Sequence, residues 1–224
     1  LIILGAIGII FVNLMQTMSN AWDALRHASF QVASIITTTG YASADFDQWT
    51  QTCKTVLVIL MFIGACAGST GGGMKVSRLI IMFKTVLKEL GSYFHPKNIK
   101  KIKMDGKPVE HEVVRAVNVY FITIMGIFTV SVFLVSFEGR DLVTNFTAVA
   151  ACLNNIGPGL SQVGPTQNFG MLTGFSKYVL MFDMLAGRLE LFPLLLIFNP
   201  GVYRDMIMGA VRYVKRKIAA RRVS

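Results

Sequence analysis

Five residues near the start of the chain, Thr37-Thr38-Thr39-Gly40-Tyr41, have the types and spacing to handle a bare cation. A Thr-rich bend ending in Gly turns consecutive backbone carbonyls outward, because Gly40 accepts dihedral angles that other residues avoid. Rings of such carbonyls replace the water shell of a potassium ion. The stretch reads as one quarter of an ion-selectivity filter, with an ordinary Thr-Gly turn as the plain alternative. A second stretch, Asn154-Asn155-Ile156-Gly157-Pro158-Gly159, has the same Gly-ended form. Neither contains a carboxylate. Neutral oxygens suit a weakly hydrated monovalent cation such as K⁺, whereas a divalent ion would call for Asp or Glu.

Other chemistries fit poorly. Gly68-Ser69-Thr70-Gly71-Gly72-Gly73 invites comparison with a phosphate-binding loop, but Met74 separates Gly73 from Lys75, Val76 stands where Ser or Thr is needed, and no strand precedes it. Cys53, Cys66 and Cys152 are odd in number and scattered, and His27, His95 and His111 form no ligand set. No nucleophile–base pair or catalytic metal set is visible, so the chain does not read as an enzyme, and no cofactor is implied.

The bends need elements to hold them, and composition points to a membrane. Of the 224 residues 53% are hydrophobic and 15% charged, with mean hydropathy +0.56. Residues 55–74 and 116–137 are uncharged runs of spanning length, since about 20 apolar residues cross a bilayer core. Leu1 to Val12 is apolar but only about 18 Å long as a helix, which predicts the tail end of a span that begins before residue 1.

Asn20 or Ser19 can cap a helix from Ala21 to about Ile36. Its Asp23, Arg26, His27 and Gln31 suit a half-membrane helix enclosed by protein better than a lipid-facing span. The C-terminal dipole of such a helix would favour a cation at Gly40. Residues 42–51 read as an outer loop with Trp49 at the membrane interface. A span starting near Lys54 is interrupted by the glycines at 68–73, and Val76 to Leu90 resumes a helical, basic pattern. Asp105-Gly106 predicts a hairpin turn between residues 99–104 and 107–110. Residues 113–137 form the cleanest span. Asp141 can cap a second short helix, 142–153, and 176–198 reads as the last span.

The order span, short helix, Gly bend, outer loop, span therefore occurs twice. Aligning Gly40 with Gly157 matches Val32 with Val149 and Ala33 with Ala150. Allowing for a longer second loop, Lys54, Val56, Leu57, Met61 and Gly64 match Lys177, Val179, Leu180, Met184 and Gly187. Duplicated membrane units place ion sites at the repeat interface.

The net charge of +10 does not indicate nucleic acid. Ten of the 22 Lys and Arg fall within 75–115 and seven within 204–222, the gathering into loops on one membrane side that marks the cytoplasmic face. Arg188 is different, because it lies inside the last apolar segment, where a charge is a functional signal by default. The repeat alignment sets it level with Ala65, beside the glycine break. It could hold carbonyls freed there and act as a gate partner, or it could pair Asp183 or Glu190 and only fix packing.

Together these segments resemble the Trk/Ktr/HKT family of potassium transporters, most closely the bacterial Trk-type membrane subunit. The resemblance rests on residues 30–41 (FQVASIITTTGY), 64–75 (GACAGSTGGGMK), the 95–115 stretch with its DGKPV, 154–159, and 187–193 (GRLELFP). It implies an all-α integral membrane protein of tandem helix–pore helix–helix repeats around a potassium-channel-like pore, of which this chain holds the last two of four. The third repeat would be 1–93, a cytoplasmic hairpin connection 94–112, the fourth repeat 113–203 and a basic cytoplasmic tail 204–224.

The resemblance also implies K⁺ coordination by Thr38, Thr39, Gly40, Asn155, Ile156 and Gly157. Gly68, Ser69, Thr70, Gly71, Gly72 and Gly73 would be an intramembrane gate with Arg188 as its partner. It implies a multi-pass protein of the bacterial inner membrane, a homodimer, and a cytoplasmic nucleotide-binding regulatory subunit. Each filter has one Gly rather than a Gly-Tyr-Gly ending, which keeps a Na⁺-permeable or K⁺/Na⁺ co-transporting member open as an alternative. A non-conducting membrane scaffold for the regulator is the third reading.

Overall fold

The computed structural model describes residues 1–64, 74–94, 102–104 and 106–188. The described chain is helical, with two very short strand pairs. Helix α1 spans Ile2–Leu14, α2 Ala21–Ile36 and α3 Gln51–Phe62. Strands β1 (Ile63–Gly64) and β2 (Met74–Lys75) follow, then α4 (Val76–Phe94), β3 (Lys103–Met104) and β4 (Lys107–Pro108). Helices α5 (His111–Ser136), α6 (Leu142–Leu153) and α7 (Gly174–Arg188) complete the order.

Two three-helix units emerge, α1–α2–α3 and α5–α6–α7, and each has a short middle helix ending in a Gly bend. Their caps are those the sequence offers. The Asn20 side chain accepts from the Trp22 amide at 3.1 Å. The Asp141 carboxylate accepts from the Thr144 amide at 3.0 Å and from its hydroxyl at 2.5 Å. Each cap meets an orphan donor of the first helical turn.

The first unit packs around the fully buried Ile10, Leu14, Val32, Ile35, Phe46 and Leu57. Trp49 joins this core, edge-on to Phe46 at 6.4 Å. Its neighbour Phe46 sits on a short 3-10 turn that folds the outer loop back onto the helices. The two units are joined by a three-ring cluster: Phe62 of α3 meets Phe128 of α5 and Phe146 of α6 at 5.4 and 6.1 Å, and those two meet each other at 5.0 Å. Ile156 and Leu160 of the second unit are also buried in the core of the first.

Helix α5 alone among the described helices is long and apolar enough to cross a membrane unaided. Ile122, Val130 and Phe133 on it are exposed, as lipid contact requires. The corresponding run at 55–74 is not one helix: α3 stops at Phe62. Ile63 then pairs in parallel with Met74 and Gly64 with Lys75, so the chain on either side of 65–73 is side by side. The hairpin register is Met104 opposite Lys107, with Gly106 at φ +79° in the turn. This pairing is shorter than the 99–110 expected. Asp105 and residues 99–101 lie outside the described residues.

Candidate functional site

Both middle helices end in the same motif, down to single hydrogen bonds. After α2, the Thr37, Thr38 and Thr39 amides donate to the carbonyls of Ala33, Ile35 and Ser34 at 3.0, 3.1 and 2.9 Å. After α6, the amides of Asn154, Asn155 and Ile156 donate to those of Ala150, Cys152 and Ala151 at 3.1, 3.0 and 2.9 Å. This is the Schellman closure of a helix, with a left-handed residue one position past the cap. That residue is Thr38 in one bend and Asn155 in the other, both at φ 55°. Gly is usual there; a β-branched Thr is strained, and such strain collects at functional sites. Gly40 and Gly157 follow at φ +76° and +115°.

The closure faces the amides back into the helix and leaves the carbonyls of 37–40 and 154–157 free. None of them accepts a hydrogen bond among the described residues. Side chains hold the frame instead. The Ser34 hydroxyl donates to the Tyr41 carbonyl at 2.6 Å, and the hydroxyls of Thr37 and Thr39 share a bond of 2.8 Å. In the second bend the Leu160 amide donates to the Thr147 hydroxyl at 3.0 Å. Gly159 lies so close to Thr147 and Val163 that a side chain there would collide with both.

The two bends adjoin. A Cβ at Gly40 would run into the Ile156 carbonyl oxygen and would sit 3.2 Å from Cδ of Pro158. Thr38, Thr39, Asn155, Ile156 and Gly157 also line one cavity of about 700 Å³, with Met184 on its wall. All six residues expected to coordinate the ion are therefore gathered where α2 and α6 point their C-terminal ends. The partial negative charge of those ends and the free carbonyls both favour a cation there.

The predicted gate is only partly visible. Residues 68–73 lie outside the described residues. Arg188 is exposed at the end of α7. Asp183 is not its partner: the buried Asp183 carboxylate accepts instead from the Ser131 hydroxyl of α5 at 2.7 Å. Glu190 lies outside the described residues.

Two features of α7 were not read from the sequence. A Cβ on Gly187 would strike the Leu153 carbonyl, so α7 crosses directly against the end of α6. The Asn155 side-chain amide donates to the Met184 carbonyl at 3.0 Å. The repeat alignment had paired Gly187 with Gly64 and so marked the position, but not its contact.

On the outer side, Glu138 is held below the usual glutamate range. Burial pushes its carboxyl up, but donation from the Thr173 amide and hydroxyl, from Ser176, and the nearby Arg140 outweigh it. Asp141 is likewise held low, mainly by the Thr144 hydroxyl, against a smaller opposing effect of burial. Lys54, which the repeat pairs with Lys177, bridges Asp47 at 3.3 Å, whereas Lys177 donates to the Gly170 carbonyl at 2.9 Å.

Comparison with known proteins places this arrangement. The TrkH family model, described as a cation transport protein, matches residues 4–208. The chain is 38% identical over 190 residues to the Trk system potassium uptake protein TrkH of Vibrio parahaemolyticus, covering 85% of this chain and 39% of that protein. It is 33% identical to the Trk system potassium uptake protein TrkG of Escherichia coli, covering 91% and 42%. The crystal structure of the potassium transporter TrkH from Vibrio parahaemolyticus superposes with a TM-score of 0.82 at 37% identity, over 89% of this chain and 43% of that one. The chain thus spans about two fifths of the length of the curated relatives it matches.

Proposed function

Because the chain belongs to the TrkH family of cation transport proteins, we propose that it forms part of a pathway taking K⁺ down its electrochemical gradient across the bacterial inner membrane. The fold is that of an all-α integral membrane transporter built from helix–pore helix–helix units. In this reading Thr38, Thr39, Gly40, Asn155, Ile156 and Gly157 supply backbone oxygens to the ion. The observation that carries it is the pair of matching bends, whose carbonyls accept no hydrogen bond among the described residues and whose Gly40 and Ile156 touch. A dehydrated ion is the partner those oxygens lack. No covalent step is involved.

Residues 1–93 and 113–203 are two of the repeats around the pore, and 94–112 and 204–224 face the cytoplasm. The Gly68–Gly73 stretch closes the pathway below the filter, with Arg188 holding it. Support comes from the parallel pairing of 63–64 with 74–75, which keeps the two flanks of this stretch together. Arg188 is the last described residue of α7, at the position the repeat aligns with Ala65. The working unit is a homodimer on a cytoplasmic nucleotide-binding regulator, for which the basic segments are the contact surface.

Rubidium uptake into proteoliposomes, in competition with K⁺ and Na⁺, tests the reading. Uptake blocked by excess K⁺ but not by Na⁺ is expected. Equal block by Na⁺ would favour the co-transporting alternative, and no uptake by a folded, regulator-bound protein would leave only a scaffold.

A further inference from the structure

The left-handed position past each middle helix does not require Asn, since Thr38 fills it in the first bend at the same φ of 55°. Asn at 155 therefore has a separate task. Its side-chain amide donates to the Met184 carbonyl at 3.0 Å, across 29 residues, and so ties the second bend to α7. Gly187, three residues on, lets α7 lie against the Leu153 carbonyl, and its missing Cβ would sit 3.0 Å from the same Asn155 amide nitrogen. The end of α7 is thereby fixed to the bend at two adjoining points, and Arg188 comes next.

The first unit lacks this tie. The residue matching Met184 is Met61, and the Thr38 side chain makes no hydrogen bond among the described residues. There α3 ends at Phe62, whereas α7 continues past the matching point to Arg188.

We infer that the Asn155 side chain is a positioning residue that couples ion occupancy of the second bend to the Met184–Arg188 end of α7. A shift of that end pulls on Asn155, whose neighbour Ile156 carries one of the free carbonyls beside Gly40. Conversely, an ion that fixes the bend also fixes where Arg188 stands. By linkage the coupling is the same in both directions. This inference rests on the ion-site reading above.

Hydrogen–deuterium exchange on the purified, reconstituted protein, in K⁺ and in N-methylglucamine, tests it without any flux measurement. K⁺ is expected to slow exchange at the bends, 37–41 and 154–157, and also at 184–188. Asn155→Gly keeps the backbone conformation and removes only the amide; it should abolish the K⁺-dependent slowing at 184–188 and leave it at 37–41. Lys177→Met, which removes a different side-chain tie of α7, to the Gly170 carbonyl, should leave the slowing at 184–188 intact. Protection of the bends with none at 184–188 in the wild type, or its persistence in Asn155→Gly, would overturn the coupling alone. No K⁺-dependent protection anywhere would overturn the ion site and the coupling with it.

Discussion

The carbonyl oxygen of Ile156 occupies the place that a side chain on Gly40 would need. Two residues 116 positions apart are thus in backbone contact, and the contact joins two bends that share the same three closing hydrogen bonds.

Gly40→Ala meets two obstacles: a left-handed dihedral, costing about 1–2 kcal/mol for an L residue, and collision with Ile156. Rubidium uptake should be lost. Gly139→Ala is the control, with φ +71° but open space around it. It should lower the melting temperature by a few degrees and leave uptake near wild type.

Gly187→Ala should destabilise the protein, whereas Gly126→Ala should stabilise it. The first drives a methyl into the Leu153 carbonyl; the second lies in the open on α5 and should gain up to about 1 kcal/mol from helix propensity. Detergent-solubilised melting curves measure the difference.

Glu138 and Asp141 give a pH dependence of defined sign. Both titrate lower in the folded protein than in an unfolded chain. Their contribution to stability is therefore complete above the ordinary carboxylate range, near pH 4, and is lost as pH falls towards their depressed folded values. Melting temperature should drop on acidification through that window, and Asp141→Asn with Glu138→Gln should flatten the drop. Asp141→Ala should cost about 1 kcal/mol even at neutral pH, through loss of the α6 cap.

Arg188→Ala should raise rubidium uptake several-fold if Arg188 holds the Gly68–Gly73 stretch closed. Unchanged uptake by well-folded protein would reduce Arg188 to a packing role.

Local chemistry made much of this legible. The bounds of α2 and α6 follow from Asn20 and Asp141 as caps and from Gly-ended bends as stops, all signals within a few residues. The repeat was legible because both units reuse them. The link from Asn155 to Met184 was not, because side-chain bonds across 29 residues leave no periodic trace. The Ser131–Asp183 bond, across 52 residues, was hidden for the same reason, so Asp183 looked like a partner for Arg188. The packing of Trp49 against Phe46 across the 3-10 turn leaves no periodic signal either. Helix α3 ends at Phe62 before the first glycine of the break, because Ile63 and Gly64 exchange helical bonding for pairing with Met74 and Lys75.

The most direct test is anomalous diffraction from crystals of the intact transporter grown in rubidium. A peak in contact with the carbonyl oxygens of Thr38, Thr39, Asn155 and Ile156 is predicted. Rubidium bound elsewhere along the pathway, with those four oxygens satisfied by water or protein donors, would contradict it.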